Sequence, residues 1–361
     1  MPLGGTRVDS LTGLRWFAAL AVFLFHARSY FREIESGFLL AGIGYEGVPF
    51  FFVLSGFVMA WVARPSDTAG NYYWRRVARI WPLLAVTTAG TVALMTWWWH
   101  VPVSAEDVLW TLTFAQAWST EHFMTMNIVT WTLSAEAFFY LAFPLVLRLL
   151  LRRSSAALFV VAVLCVAATA GTRLASAWLE QPQPVERLVV ASPPALIPMF
   201  VLGICAGLLV RRGKRPPFST GVAATLTAGT ILLCWVWMQR PTALHPYQGT
   251  IGFFDAVLIP AFTLLIVTAA LRDAGGRRSL LRSRPLVKLG EWSFAFYLCH
   301  AVVLDVFDHL GYGADRGLTR DVAELGAACA AALVVALLLH EWVERPAERR
   351  LRTLLPVRRT V

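Results

Sequence analysis

Polar residues fall along this chain in clusters, and the intervals between the clusters are long and apolar. Residues 80–105, 188–210 and 216–239 contain no Asp, Glu, Lys or Arg. Residues 241–271 are broken only by Asp255, and 122–147 only by Glu136. A helix needs ~20 apolar residues to cross the hydrocarbon core of a bilayer, and these intervals supply them. With the weaker segments, ten spans are predicted, at about 12–30, 44–62, 80–99, 129–150, 156–175, 190–211, 218–238, 251–271, 291–310 and 322–343. A membrane barrel would instead alternate apolar and polar positions over strands of ~10 residues. The expected fold class is therefore all-α: a polytopic integral membrane protein of about ten transmembrane helices. Residues 1–343 are expected to form the transmembrane domain, and 344–361 a short basic tail in the cytoplasm.

Charge orients the spans. The N-terminus, alternate loops and the C-terminus on one side hold 24 of the 32 Lys and Arg residues, against seven on the other side; Arg15 lies within a span. A split of that size follows the positive-inside rule, so both termini are expected in the cytoplasm and the chain in the cell membrane, crossing it many times. The net charge of +10 is then a property of cytoplasmic loops, and no nucleic-acid partner is expected. Composition agrees: 57% of residues are hydrophobic, 15% are charged, and the mean hydropathy is +0.60. Those values exclude an ordinary soluble domain, a disordered chain and a coiled coil. The five cysteines lie in apolar stretches without metal-type spacing and read as small buried hydrophobes. No metal site is expected. The first apolar stretch carries Arg15 and His26, which does not fit a cleavable signal peptide.

Ionisable residues inside a membrane are costly and mark functional positions. Arg15 and His26 are eleven residues apart on span 1, about three turns and ~16 Å, on one face. Arg15 also fits a snorkelling anchor, and His26 a structural hydrogen bond to a neighbouring helix. Glu136, on a span running the opposite way, is expected at a depth similar to His26. A carboxylate there could orient an imidazole base, or could simply tie helices together. Arg76 and Arg79 are three apart and share a face, an arrangement that suits a phosphate-rich ligand but also plain topogenic charge. Ser293, Tyr297 and His300 follow i, i+4, i+7 spacing on span 9 and line one face. His340, Glu341, Glu344 and Arg345 read as an ion-pair network at a span end, and Trp97, Trp98 and Trp99 as an interfacial aromatic belt. No GxSxG, Walker, HExxH or CxxC element occurs.

In these segments the chain resembles the acyltransferase 3 family, bacterial integral-membrane O-acyltransferases. Leu11-Thr12-Gly13-Leu14-Arg15, ten residues and then His26 are similar to the family's first-span element. Gly47 to Phe57 resembles its second-span signature, and Arg76-Val77-Ala78-Arg79 its RxxR element. Trp131 to Tyr140 resembles the WSLSxE segment, Ser293 to His300 the SxxxYLxH segment, and Glu344-Arg345-Pro346 the closing ERP. Two departures stand out: Pro49 replaces an Asp, and Ala137 a second Glu, that many members carry. The wording around Glu136, without an appended esterase-like domain, is similar to stand-alone members that acylate sugars of macrolide antibiotics. Other members modify envelope polysaccharides or glycolipids.

The resemblance implies a ten-helix core that transfers a short acyl group from cytosolic acyl-CoA to a hydroxyl of a sugar-containing acceptor. Acyl-CoA would be a co-substrate, and no cofactor would be permanently bound. On this reading His26 and Glu136 are catalytic, with Glu136 holding His26 in its productive tautomer. Arg15, Arg76 and Arg79 hold the donor, and Ser293, Tyr297 and His300 line the acceptor site. The residues alone leave a second class open, a proton-coupled secondary transporter using the intramembrane His, Glu and Tyr as a relay.

Overall fold

The computed structural model describes residues 8–31, 39–64, 68–179, 183–238, 247–313 and 317–354. Of the charges counted for topology, Arg7, Arg32, Arg240, Arg316, Arg358 and Arg359 lie outside these residues, as does the tail from 355 to 361. The helices are α1 (Asp9–Ala27), α2 (Gly47–Val62), α3 (Ala69–Ala93), α4 (Ala105–Leu112), α5 (Trp131–Leu151), α6 (Ser155–Leu179), α7 (Gln183–Ala191), α8 (Pro193–Arg211), α9 (Thr220–Met238), α10 (Tyr247–Ala274), α11 (Arg284–His309), α12 (Leu318–Leu339) and α13 (Arg345–Thr353). A 3₁₀ segment, Leu39–Glu46, leads into α2. Among the described residues, ten helical stretches are long and apolar enough to cross a membrane, in agreement with the ten expected spans. Their outward surface is apolar: Leu141, Leu145 and Leu149 form a stripe along α5, each more than half exposed. Surface of that kind needs lipid or protein against it.

Close helix packing rests on glycine. In an apolar solvent helices gain little from burying apolar surface, so small residues that let backbones approach contribute most. A Cβ at Gly56 of α2 would sit 2.0 Å from the Phe200 carbonyl oxygen of α8, and one at Gly203 of α8 would sit 2.0 Å from the Val53 oxygen of α2. The two helices therefore interlock reciprocally. Gly290 does the same for α11 against α1, where a Cβ would meet the Thr12 oxygen at 1.8 Å. This second contact fixes the two helices that carry His26 and His300.

The third span starts earlier than its uncharged run. Helix α3 begins at Ala69, capped by Thr68, whose hydroxyl accepts the Asn71 N–H at 3.3 Å. Arg75, Arg76 and Arg79 are thus helical residues of the span and not part of a preceding loop. The cause is an inward face on which Tyr72 and Leu83 are buried and which also carries Arg76 and Arg79, so the charge is turned towards protein. Arg79 ends the uncharged run without ending the helix. At the other terminus, α12 passes through a π turn, His340–Glu344, straight into α13. The expected ion pairs form there, with His340 to Glu344 at 3.0 Å and Arg345 to Glu341 at 2.9 Å. Helix α13 packs back on α3, where the Trp74 indole N–H donates to the Leu351 carbonyl at 2.7 Å.

The connection between α3 and α5 folds over the opposite end of the bundle. Thr130 donates to Gln116 Oε1 at 2.7 Å, and Gln116 donates to the Thr125 carbonyl at 3.0 Å. Asn127 reaches α11 and donates to the Leu298 carbonyl at 2.6 Å. These buried amides tie the loop to the helix turn that bears Tyr297 and His300.

Candidate functional site

One cavity of about 410 Å³ opens among α1, α2, α3, α5 and α11. Its polar lining comprises Thr12, Arg15, Ser55, Arg76, Arg79, Thr132, Glu136, Tyr140, Ser293 and Tyr297; Phe51, Phe52 and Phe294 stand among its apolar walls. Arg15, Arg76 and Arg79, far apart in sequence, therefore share one wall system. Glu136 and Glu344 lie within electrostatic range of Arg15 and Arg79, and Glu348 of Arg79, but of these carboxyls only Glu136 lines the cavity with the three guanidiniums. The excess is positive. The Nε atoms of Arg15 and Arg76 are buried without an acceptor, two donors that an anion entering the cavity could use. The Arg76 guanidinium also lies over the Tyr140 ring at 5.5 Å and the Tyr72 ring at 5.9 Å, which fixes its plane.

Glu136 does not make the contact expected of it. Its carboxylate accepts the hydroxyl of Tyr140, one turn along α5, inside the arginine-lined cavity. His26 is held instead by His300: Nδ1 of His26 and Nε2 of His300 are 3.0 Å apart. The sequence argument matched His26 and Glu136 by depth along their helices. Depth does not specify which face of a helix points where, and α11 rather than α5 packs against α1.

The tautomers of the pair follow from backbone chemistry. His300 Nδ1 faces the carbonyl oxygens of Tyr297 at 2.8 Å and Phe296 at 3.2 Å. Carbonyls only accept, so in neutral His300 the proton sits on Nδ1 and Nε2 carries a lone pair. That lone pair accepts the proton on His26 Nδ1. Nε2 of His26 is then left with its own lone pair, the state of a general base. His300 is fully buried and stacks on Phe296 at 5.9 Å, with Phe23 edge-on at 6.2 Å. Packing and hydrogen bonding thus fix its ring.

Of the three residues expected at the acceptor site, Ser293 and Tyr297 line the cavity, and His300 lies behind Tyr297. Ser293 Oγ donates to the Gly290 carbonyl of its own helix at 2.8 Å. The Tyr297 and Thr132 hydroxyls are hydrogen-bonded at 3.0 Å, and both lie within reach of the Val129 carbonyl, at 3.4 and 2.9 Å. Tyr297 therefore bridges α5 and α11 between the arginine cavity and the histidine pair.

Comparison with known proteins bears on what such a cavity does. The model of the Acyltransferase domain, that of the acyltransferase 3 family, matches residues 8–341. The chain belongs to this family. It is 38% identical to Acyltransferase MdmB of Streptomyces mycarofaciens, over 99% of this chain and 96% of the relative. It is 28% identical to the exopolysaccharide production protein ExoZ of Rhizobium meliloti, over 85% of this chain and 90% of the relative. It is also 28% identical to Nodulation protein 10 of Rhizobium leguminosarum, over 96% and 94%. No solved structure matches.

For an acyltransferase the cavity holds two residues that the sequence argument left without a role. Tyr140 binds Glu136 and faces Arg76; it sits four residues after Glu136, a spacing that could have flagged it. Thr132, four residues before Glu136, is hydrogen-bonded to the Tyr297 hydroxyl. A second ionisable group lies apart from this cavity. Arg173 of α6 and Asp255 of α10 form a buried ion pair, and the carboxyl of Glu46, at the start of α2, neighbours Asp255.

Proposed function

We propose that this acyltransferase moves a short acyl group from acyl-CoA to a hydroxyl of a sugar-containing acceptor, working in the cell membrane with both termini in the cytoplasm. The observation that carries the reading is the convergence of Arg15, Arg76 and Arg79 on one cavity that Tyr297 also lines, with the Tyr297 ring 5.8 Å from that of His300, the hydrogen-bond partner of His26. Guanidiniums bind phosphate oxygens bidentately, so the CoA phosphates occupy the arginine end. The acyl-bearing arm then covers the rise from Arg15 towards His26, ~16 Å along α1.

The chemistry is a single displacement. The acceptor oxygen attacks the thioester carbonyl carbon, its proton passes to His26 Nε2, and the new C–O bond forms as the C–S bond breaks. The proton on His26 then moves to the departing sulfur, which leaves as the CoA thiol. Apolar walls from Phe51, Phe52 and Phe294 exclude water, the competing nucleophile. The segment around Glu136 resembles members that acylate macrolide sugars, which favours an antibiotic sugar as acceptor; the similarity to an exopolysaccharide production protein keeps envelope glycans in the same class.

The test is release of CoA thiol by the purified protein in nanodiscs, supplied with acyl-CoA and a panel of glycosylated acceptors. Acceptor-dependent release of one thiol per ester formed is expected. Uptake of solute driven by a proton gradient, without thiol release, would instead support the transporter reading. Orientation is tested separately: a reporter fused after Val361 that is active only outside the cell would overturn it.

A further inference from the structure

The arginine cavity has a second end. On α2 its lining runs from Val62 back to Val48, a rise of ~21 Å, whereas on α1 it runs only from Val8 to Arg15. The two stretches are antiparallel: a Cβ at Gly44 would sit 2.1 Å from the Ala21 carbonyl oxygen, and one at Gly47 would sit 2.5 Å from that of Ala18. Side chains on a helix lean towards its N-terminus. Arg15 of α1 therefore leans to the Val8 end of the cavity, and Phe51 of α2 leans the other way, to the Val48 end. Tyr297, whose ring neighbours His300, stands at that end too: the Phe51 ring meets it edge-on at 6.2 Å.

The lining at this end is suited to hydrocarbon. Val48, Phe51, Phe52 and Leu133 supply apolar surface, and the polar groups beside them are the hydroxyls of Thr132 and Tyr297. These two are 3.0 Å apart, and the Val129 carbonyl lies 2.9 Å from the first and 3.4 Å from the second. Whichever hydroxyl donates to the other, both protons are used within this group. A sugar buried here would leave hydroxyls of its own without partners, at a cost for each. A hydrocarbon chain needs no partner.

We infer that the Val48 end of the cavity is the pocket for the acyl group, and that Phe51, with Val48 one turn beyond it, sets the length of acyl chain the protein accepts. The inference rests on the acyl-CoA reading above and gives the donor a class: short, unbranched or lightly branched acyl groups that stop at the Phe51–Tyr297 contact. The wall expected to hold the acceptor, Ser293 and Tyr297, then borders the acyl group instead. Ser293 agrees, since its hydroxyl already donates to the Gly290 carbonyl.

The test is equilibrium binding of acetyl-, butanoyl-, hexanoyl- and octanoyl-CoA to the protein in nanodiscs, with empty nanodiscs as background. Each methylene that finds apolar contact is worth about four-fold in affinity. Phe51→Ala makes room for two or three more, so it should raise the ratio of hexanoyl-CoA to acetyl-CoA affinity ~15–60-fold. Val48→Phe fills the end of the pocket and should lower that ratio, an opposite change that loss of folding cannot mimic. Phe50→Ala is the control: Phe50 is on the same helix but packs on Phe262 of α10 at 5.5 Å and does not line this cavity, so the ratio should stay as in the wild type. An unchanged ratio in both Phe51→Ala and Val48→Phe, with CoA still bound, would overturn the inference while leaving the acyl-CoA reading intact. A shift in Phe50→Ala as large as in Phe51→Ala would overturn it too, since it would reflect general loosening of the bundle. If the wild type binds no acyl-CoA of any length, the acyl-CoA reading itself falls and the inference with it.

Discussion

Replacing His300 with Phe asks whether His300 acts on the substrate or only holds His26. Phe keeps a ring between Phe296 and Phe23 and removes the Nε2 lone pair that accepts from His26 at 3.0 Å. The lost bond joins two neutral groups, so it is worth about 0.5–1.5 kcal/mol. That is the preference holding the proton on His26 Nδ1, and losing it lets the ring spend most of its time in the wrong tautomer or orientation. The expected fall in kcat is roughly 2–13-fold, with KM for acyl-CoA unchanged, because the arginines stay in place. His26→Ala removes the base itself and should cost ~10²–10⁴-fold. His300→Gln offers an amide oxygen as acceptor and should recover part of the loss. The assay is CoA thiol release at saturating acyl-CoA, normalised to correctly folded protein. If His300→Phe falls as far as His26→Ala and His300→Gln rescues nothing, His300 is itself the base or its essential partner. If His26→Ala retains near-normal turnover, no base function belongs to this pair.

Three further outcomes are expected. Arg76→Ala and Arg79→Ala should each weaken acyl-CoA binding by about 1.5–3 kcal/mol, with only partial rescue by Lys, as measured by equilibrium binding; wild-type affinity in both would reduce them to topology signals. Gly290→Ala drives a methyl into the Thr12 carbonyl, so it should cost about 1–3 kcal/mol and lower turnover of the molecules that still fold, since the same contact sets the His26–His300 spacing; an unchanged melting temperature would refute the packing argument. His122, in the loop between α4 and α5, holds its proton above the usual value of 6.5 because Asp107 accepts from Nδ1 at 2.8 Å, with Glu106 adding attraction. A folded-state value raised in this way stabilises the loop fully below pH 6.5, and the contribution is lost as pH rises through the folded value. Hydrogen exchange across residues 105–125 should therefore quicken from pH 6 to pH 8 beyond the intrinsic chemical rate, a small, salt-screened effect that Asp107→Asn should abolish.

Much of the architecture was legible because a bilayer enforces it. An uncharged interval of helical length has almost no alternative fold, so ten spans could be counted from charge alone. Boundaries were less legible where charge turns inward, as at Arg76 and Arg79, since a guanidinium facing a cavity looks in sequence like one facing water. Residue spacing within a helix was equally readable: Ser293, Tyr297 and His300 do share a face, and Tyr297 and His300 meet at 5.8 Å. Pairing between helices was not. His26 meets His300 through α1–α11 packing, which is set by Gly290 and Thr12, and that contact leaves no mark in hydropathy. The Arg173–Asp255–Glu46 cluster was hidden for the same reason: Arg173 was counted among the loop charges of one side, yet it is 4% exposed and paired across to α10.

Unpartnered polar atoms inside this bundle are informative because an apolar interior gives them no water. Most buried polar groups here have satisfied themselves: Thr87, Thr91, Thr169 and Thr227 each donate to the carbonyl one turn back on their own helix. Among the described residues the charged exceptions stand at three places: Arg15 and Arg76 leave donors open on the arginine cavity, atoms of Arg173, Asp255 and Glu46 lack a partner around their buried ion pair, and Asp321 leaves both carboxyl oxygens open at the start of α12. An anion that fills the arginine cavity would remove a desolvation cost the empty protein carries. Binding there should stabilise α1, which carries both Arg15 and His26, so acyl-CoA is expected to raise the melting temperature. An unchanged melting temperature at saturating acyl-CoA would refute this reasoning.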